Sequence, residues 1–187
     1  MLKVIDLVAS LRFALGDMQG LSISDYELIE AINQAASLLY GRLSEHFISS
    51  EIKRKVIDVD ESREYILPPD FLRVHQVIDN DYRIISASGK NPPEEGNYRI
   101  IGSAFSAPEG VYTLEYYYIP SRVSSVNDFL DVSEKVRPYI ENVALYLYRK
   151  DFQSVELSVQ QCLTVLAGRE ISHFDDTGPV QVLGGRL

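Results

Sequence analysis

Two stretches with the period of an α-helix occupy residues 1–48. In the first, apolar side chains recur every three or four residues from Val4 to Leu15, which predicts a helix with one buried face. Gly16 follows directly, and glycine readily adopts the left-handed backbone conformation that ends many helices. The pattern therefore predicts a first helix that ends at Gly16.

A second helix is predicted to begin after Ser24. Ser24 and Glu27 have the spacing of a capping box, in which each side chain accepts a hydrogen bond from a free backbone N–H at the start of the helix. An apolar stripe of about twenty residues with helical periodicity follows. The stripe consists of Leu28, Ile32, Ala35, Leu39, Leu43 and Phe47.

Residues 49–132 change to the shorter period of β-strands. Asp79, Asn80 and Asp81 separate two apolar runs, and residues of these types favour the turn of a hairpin. Residues 86–97 are rich in glycine, proline, serine and glutamate, which predicts an exposed loop. The predicted strands cover residues 52–59, 65–67, 74–78, 82–85, 98–101 and 111–119.

The last of these strands alternates most clearly between two faces. Its inner face carries Tyr112, Leu114, Tyr116 and Tyr118. Thr113 and Glu115 mark the opposite face as the outer one, and Tyr117 belongs to that face. Tyrosine is common at protein interfaces because its ring can be buried while its hydroxyl stays hydrated. We therefore predict Tyr117 as an interface candidate, and simple packing against the sheet is the alternative.

Helical spacing returns after residue 132. Ser133 is in the position of an N-cap, and Pro138 falls in the first turn, where its missing N–H does little harm. The stripe of this third helix is Val136, Ile140, Val143 and Leu147. A last helix is predicted to end near Gly168, and its stripe is Val155, Val159, Cys162 and Leu166.

This order of elements predicts an α+β protein. Two N-terminal and two C-terminal helices are expected to form a four-helix bundle-like core, with a small antiparallel β-sheet domain inserted between the two pairs. The predicted divisions are residues 1–48 and 133–170 for the helical pairs, residues 49–132 for the β insertion and residues 171–187 for an extended tail.

The predicted extended C-terminal tail contains apolar residues for which the predicted core has no place. Disorder is the usual state of such a segment. Apolar residues spaced along a flexible chain also suit docking onto a partner, by strand addition or by filling a groove. The candidate docking residues are Ile171, Phe174, Val180, Val182 and Leu183.

Composition and charge argue against several classes of protein. The 187 residues are 45% hydrophobic and carry a formal net charge of −9, which argues against nucleic-acid binding through bulk positive charge. Most of the acidic excess lies in residues 1–132. The single cysteine excludes an intramolecular disulfide framework, and no apolar run is long enough to predict a membrane span.

No pattern in the sequence predicts catalysis. His46, His75 and His173 fall in three different predicted elements, and no nucleophile, phosphate-loop or zinc motif accompanies them. Cys162 lies on the apolar stripe of the last helix, which favours burial as a small hydrophobic residue. We therefore expect a protein that is not an enzyme, with no catalytic residue, no metal site and no cofactor.

Six short motifs occur in a fixed order along residues 1–170. They are Leu15-Gly16-Asp17; Ser24-Asp25 with Leu28; Ile32-Asn33-Gln34-Ala35; Tyr65 and Leu67-Pro68 with Asp70-Phe71-Leu72-Arg73-Val74; Tyr118 with Pro120; and an acidic turn near Asp128. Together with the two closing helices, this order resembles the head–tail adaptor (connector) proteins of tailed bacteriophages, including those of short-tailed phages. One departure is Ile23, where an aromatic residue often precedes the capping serine, but an apolar group suffices there.

The resemblance implies a virion structural protein without enzymatic activity. Such adaptors form a homo-oligomeric ring, commonly a dodecamer, that is seated beneath the portal, extends the DNA channel and docks the tail. The implied partners are the portal protein, bound through the C-terminal segment, and a tail protein such as a nozzle, stopper or tail tube. The implied location is the head–tail interface of the virion, after assembly in the host cytoplasm.

The implied ring gives the acidic composition a possible role. DNA would pass through such a ring without specific binding, and acidic side chains around the channel would repel its phosphates. We therefore expect the acidic surface of residues 1–132 to face the channel in part. No membrane partner is expected.

The alternative is a small intracellular α+β domain that binds a ligand or catalyses a reaction. Its site would be a deep pocket in which Asp70, Arg73 or His75 converges with other polar groups. A regulatory interaction module outside any virion would differ from an adaptor only in its partner. The sequence by itself leaves these interpretations open.

Overall fold

The computed structural model describes the backbone of residues 1–90 and 92–175, and the side chains of these residues other than 50 and 169–175. The helices of this part of the chain are α1 (Val4–Leu15), α2 (Asp25–Glu45), α3 (Arg137–Tyr148) and α4 (Phe152–Asp175). The strands are β1 (Leu2–Lys3), β2 (Lys53–Val59), β3 (Glu64–Ile66), β4 (Phe71–Ile78), β5 (Ile84–Ala87), β6 (Asn97–Ile101), β7 (Ala104–Ser106), β8 (Gly110–Tyr118) and β9 (Phe129–Leu130). A short 3-10 helix, Ser49–Glu51, lies between α2 and β2.

The two N-terminal helices have the predicted end signals. α1 ends at Gly16, whose φ of 74° is the left-handed conformation. The capping box of α2 is complete, because the Ser24 hydroxyl accepts from the N–H of Glu27 while Glu27 Oε2 accepts from the N–H of Ser24. The apolar stripe ends sooner than predicted. Phe47 lies beyond α2 with a φ of 56°, and its side chain is 65% exposed.

Seven strands form one mixed sheet in the order β2-β8-β4-β5-β6-β7-β3. Most neighbours are antiparallel, whereas β5 and β6 are parallel. The edge strands β2 and β3 also contact each other, so the sheet is nearly closed. β1 and β9 form a separate two-stranded antiparallel sheet next to α1.

The predicted fold class is therefore wrong. The prediction was a four-helix bundle-like core with a small antiparallel insert. The structure instead has a seven-stranded mixed sheet that shares one hydrophobic core with the helices. Strands as short as β7 and β9 cannot display a period of two, so the hydrophobic pattern does not reveal them. The alternation within a strand also does not specify its partner, so nothing in it predicts the parallel pair. The division of the chain at residues 48, 132 and 170 stays a prediction.

One hydrophobic core extends through the helices and the sheet. α2 is central to it, since it contacts the three other described helices as well as β4 and β8. Leu28, Ile32 and Leu39 on this helix are almost completely buried. Tyr40 packs against Tyr118 of β8 with ring centroids 4.9 Å apart. Apolar packing therefore holds the sheet directly against the helices.

The two C-terminal helices differ from the prediction at their ends. Pro138 does lie in the first turn of α3, but Ser133 does not cap that helix. The Ser133 hydroxyl donates instead to Glu51 Oε1 at 2.7 Å. α4 continues to Asp175, so the predicted end near Gly168 and the predicted extended conformation of residues 171–175 are both wrong. A helix tolerates an internal glycine because the cost is only about 1 kcal/mol relative to alanine.

Candidate functional site

The loop between α1 and α2 is organised around the carboxylate of Asp17. Asp17 Oδ1 accepts hydrogen bonds from the N–H groups of Leu21 and Ser22 at 3.0 and 3.1 Å, and Oδ2 accepts one from Ile23 at 3.1 Å. Arg12 Nη1 donates to Oδ2 at 2.6 Å. Burial alone would raise the pKa of Asp17, but these N–H groups and the guanidinium outweigh it and lower the pKa below its ordinary value. The carboxylate thereby fixes the path of the chain into α2.

Arg12 connects this loop to the first turn of α2. While Nη1 contacts Asp17, Nη2 donates to Asp25 Oδ1 at 2.6 Å. Gly20 packs against the guanidinium, and a Cβ atom at that position would lie only 3.1 Å from Arg12 Nη1. The φ of Gly20 is also positive, at 67°, so both space and backbone conformation favour glycine there.

Lys53 joins the sheet to the segment that leads into α3. Its Nζ atom lies 2.6 Å from Asp70 Oδ2, 2.5 Å from Asp131 Oδ2 and 4.1 Å from the centre of the Tyr118 ring. Partial burial alone would lower the pKa of Lys53, but the hydrogen bonds to Asp131 and Asp70 raise it above its ordinary value. Burial and the Asp70 carboxylate also raise the pKa of Tyr116, whose hydroxyl is 3.4 Å from Asp70 Oδ1, to about 12.

A second polar cluster lies at the same junction, around the buried carboxylate of Glu51. The Tyr40 hydroxyl donates to Glu51 Oε2 at 2.9 Å, and the Ser133 hydroxyl donates to Oε1. Burial, reinforced by the Glu51 charge, raises the pKa of Tyr40 far above its ordinary value. The same two causes raise the pKa of the buried Cys162 thiol to about 12. The Tyr40 and Ser133 hydroxyls thereby join α2 and the segment before α3 to Glu51.

Tyr117 is only 1% exposed, which corrects the prediction that its face of β8 is open to solvent. Its hydroxyl lies 3.1 Å from His75 Nδ1, and the two rings meet edge to face. The Arg73 guanidinium lies 5.9 Å from the Tyr117 ring and 4.0 Å above the Phe47 ring. The structure thus gives Tyr117 a packing role, and its role at an interface stays a prediction.

Glu115 also belongs to the face that was expected to be exposed, and it is buried as well. Arg54 Nε donates to Glu115 Oε1 at 2.7 Å, and Gln76 Nε2 donates to Oε2 at 2.5 Å. Flanking side chains from β2 and β4 thereby cover this outer face of β8. Alternation along one strand cannot reveal such cover, because the covering groups come from other strands.

The three residues of the alternative ligand-binding or catalytic interpretation do not converge. Asp70 contacts Lys53 and Tyr116, whereas His75 contacts Tyr117. Arg73 lines an open groove whose lining includes neither Asp70 nor His75. Within the described part of the chain, no cluster of His, Cys, Asp and Glu side chains is arranged to hold a metal ion. The same residues contain no helix with the length and apolarity to cross a membrane.

The groove next to Arg73 lies within the sheet, and we name it the β4–β6 groove. It has a volume of about 480 Å³ and lies between the first half of β4 and the second half of β6. Its lining combines apolar side chains with two arginines. The lining residues are Phe71, Leu72, Arg73, Val74, Ala87, Ser88, Tyr98, Arg99, Ile100 and Ile101.

Exposed apolar side chains occur at two further places on the surface. Ile5 and Phe13, which are 50% and 73% exposed, lie two turns apart on α1. In the sheet, Ile66 and Ile101 both pair with Ala104, so the three side chains form a row on one face across β3, β7 and β6. Contiguous exposed apolar surface is typical of interaction sites.

The candidate docking residues of the C-terminal tail lie at or beyond the end of the described chain. Ile171 and Phe174 belong to the backbone of α4. Val180, Val182 and Leu183 lie outside the described residues. The docking role of these five residues stays a prediction.

A family model described as SU10 adaptor protein matches residues 2–167. The chain belongs to the SU10 adaptor protein family. This membership confirms the resemblance to phage head–tail adaptors and identifies the protein as a phage adaptor, a structural virion component that interacts with head and tail components. A search of curated proteins finds no match to the chain.

The matched range of this adaptor, residues 2–167, includes the Asp17 loop, the junction around Lys53 and Glu51, and the β4–β6 groove. The polar groups of the first two are bonded within the subunit, which suits a role in positioning surfaces. The groove and the exposed apolar rows are among the surfaces of the described adaptor that are accessible to partners.

Proposed function

We propose that this adaptor forms a homo-oligomeric ring beneath the portal of a tailed phage, extends the DNA channel and docks the tail. The observation that carries the proposal is the adaptor family match over residues 2–167. The separation of Asp70, Arg73 and His75 supports a structural role over a catalytic one. The ring, which we expect to be dodecameric, would have the portal and a tail protein as partners.

A ring with cyclic symmetry needs two different, complementary faces on each subunit. The chain exposes apolar residues on more than one side, including Ile5 and Phe13 on α1 and Phe152 and Leu157 on α4. Burial of such residues between neighbouring copies would stabilise the ring, since buried apolar area contributes roughly 25 cal/mol per Å². We assign the contacts between subunits to α1 and α4, and the contacts with other proteins to the sheet.

The C-terminal segment is proposed as the portal-binding element. Its apolar residues alternate at Val180 and Val182, which suits an extended segment that pairs with a partner strand. A chain truncated after Asp175 would keep α4 complete and remove this pattern. We expect the truncated protein to keep its stability and to lose portal binding.

The experiment mixes the adaptor with the portal protein of the same phage and measures ring formation and binding by mass photometry and electron microscopy. V180D and V182D should weaken portal binding, whereas Q181D should not, because residue 181 would point to the opposite face if the bound segment is an added strand. Portal binding that survives both the truncation after Asp175 and deletion of residues 171–187 would contradict the docking assignment. Failure of the full chain both to bind any portal and to form a ring would contradict the adaptor function.

Part of the acidic surface of residues 1–132 is assigned to the wall of the channel. Acidic side chains there would repel the phosphates of DNA, so the duplex would slide without being retained. A map of the assembled ring tests this assignment directly. A channel wall formed mainly by arginine and lysine would contradict it, while ring formation itself would still support the adaptor function.

A further inference from the structure

In the seven-stranded sheet, β5 is shorter than the two strands beside it, β4 and β6. β5 pairs with β4 only at Val77 and Ile78. It then pairs in parallel with β6 through Ser86 and Ala87, and the chain leaves the sheet after Ser88. β4 and β6 both continue past this point, so they run side by side with a gap where β5 would have continued.

The walls of this gap are two strand edges. Beside residues 71–76 of β4, no described residue pairs on the side opposite β8. Residues 99–101 of β6 pair with β7 on one side, and no described strand pairs with their other side. Adjacent strands lie about 4.8 Å apart, so omission of one strand leaves room of about 9.6 Å between its two neighbours. The β4–β6 groove occupies this position.

An unpaired strand edge presents N–H and C=O groups that readily pair with another extended chain. Here two such edges face one slot, so an inserted segment would have a hydrogen-bonding partner on each side. It would continue the line of β5, antiparallel to β4 and parallel to β6. This geometry distinguishes the groove from a plain apolar surface, because it selects an extended backbone.

The side chains of the groove indicate which extended segment would fit. Leu72 and Ile101 are 40% and 57% exposed at its walls, which suits alternating apolar residues in the occupant. Arg73 and Arg99 also line the groove, and neither forms an ion pair with another described residue. The Arg73 guanidinium packs on the Phe47 ring and its Nη2 atom is buried, whereas Arg99 is partly exposed. Arg99 therefore gives the groove a cation without an ion pair, in a chain with a net charge of −9, and makes the groove complementary to an acidic segment.

We infer that the β4–β6 groove accepts an extended, carboxylate-bearing segment of the tail protein as an added strand. The inference rests on the proposed adaptor function, which places a tail protein on this ring. We assign portal binding to the C-terminal segment and subunit contacts to the helices. The groove in the sheet is therefore assigned to binding of the tail protein. The added strand would pair with β4 and β6 through its backbone and with Arg99 through its carboxylate.

The test compares groove variants with matched variants of the same sheet outside the groove. I101K places a charge on the apolar wall, and R99E reverses the charge. The controls are I84K and R83E, because Ile84 and Arg83 are exposed on or next to β5 and do not line the groove. Binding of the tail protein encoded by the same phage is measured by biolayer interferometry, together with portal binding and the thermal melting of each variant.

We expect I101K and R99E to weaken tail-protein binding at least tenfold, and I84K and R83E to leave it within twofold. All four variants should keep their melting temperatures and their portal binding. Hydrogen–deuterium exchange should also slow at the amides of residues 71–76 and 99–101 when the tail protein is added to assembled rings. Protection that already appears when rings form from the adaptor alone would assign the groove to a second copy and overturn the inference.

Equal binding of the tail protein to all variants, without added amide protection in β4 and β6, would also overturn the inference. Portal binding and ring formation would still support the adaptor function in that case. Loss of binding in the control variants as well as in the groove variants would contradict a site confined to the groove. If neither the portal nor a tail protein binds the unaltered ring, the proposed function itself fails.

Discussion

The side chain of Asn33 forms two hydrogen bonds with the backbone of Val123, which lies 90 residues away in the sequence. Asn33 Nδ2 donates to the Val123 carbonyl, and Asn33 Oδ1 accepts from the Val123 N–H, both at 2.9 Å. Asn33 is only 4% exposed, so these bonds are shielded from water. The amide thereby ties α2 to the segment that leaves β8 and positions the sheet relative to the helices.

We predict that N33A destabilises the protein by about 2 to 4 kcal/mol. Alanine would leave both the N–H and the carbonyl of Val123 buried without a partner, and each such group costs about 1 to 3 kcal/mol. Urea unfolding followed by circular dichroism measures the change. Q34A is the matched control, because Gln34 is the next residue on α2 and is exposed. Equal stability of N33A and Q34A would contradict the role of the Asn33 contact.

The Asp17 loop leads to a prediction about pH. The pKa of Asp17 is lowered in the folded state, so its contribution to stability is fully present above the unfolded pKa of about 3.9 and is lost as the pH falls through the folded pKa. D17N removes this charge-dependent contribution. The difference in unfolding free energy between the unaltered protein and D17N should therefore be largest near neutral pH and shrink in acid.

The measurement for Asp17 is a series of urea unfolding curves from neutral pH to acid for both proteins. E61Q serves as the control, because Glu61 is an exposed carboxylate outside the loop, and its stability should follow that of the unaltered protein. A difference between D17N and the unaltered protein that stays constant with pH would show that the carboxylate charge is not what stabilises the loop.

Replacement of Lys53 should weaken the junction between the sheet and the segment before α3. K53M leaves Asp70 and Asp131 close together without the cation that lies between them. We expect a loss of about 1 to 2 kcal/mol, less than for a fully buried ion pair because Lys53 is partly exposed. K55M is the control, since Lys55 is an exposed lysine on the same strand. A smaller loss in thermal or urea unfolding for K53M than for K55M would argue against the junction.

Cys162 should be unreactive in the folded protein. Burial raises the pKa of its thiol to about 12, and the thiolate is the reactive form of cysteine. Ellman's reagent added near neutral pH is therefore expected to react at least a hundredfold more slowly with the folded protein than in denaturing urea. Because the chain has one cysteine, the signal reports this site alone. Rapid reaction of the folded protein would show that α4 opens easily around Cys162.

The helix boundaries that depend on neighbouring residues could be predicted from the sequence. The capping box of Ser24 and Glu27 forms as predicted, and Gly16 ends α1. Both signals act over three or four residues, so the local sequence contains all of the interacting groups. The end of α4 could not be predicted in this way, because Gly168 permits a helix to end there but does not require it.

The accessible parts of the adaptor were harder to predict. The alternation along β8 assigns Tyr117 and Glu115 to an outer face, yet side chains from β2 and β4 cover these two residues. The hydrophobic pattern did not predict the β4–β6 groove, although one feature of the sequence is consistent with it. The apolar run at residues 82–85 is shorter than the run that opens at Phe71, so β5 cannot extend along the whole of β4.

The sequence by itself determined the main helices, the end of α1 and the capping of α2, because these depend on side-chain spacing and on bonds between near neighbours. The order of its motifs also led to the adaptor family. The tertiary structure alone decided which strands pair, that the sheet is nearly closed and split between β4 and β6, and that the outer face of β8 is covered. These features depend on contacts between residues far apart in the chain, such as Asn33 and Val123. The acidic net charge gives no sign of Arg99, which makes the groove complementary to an acidic partner.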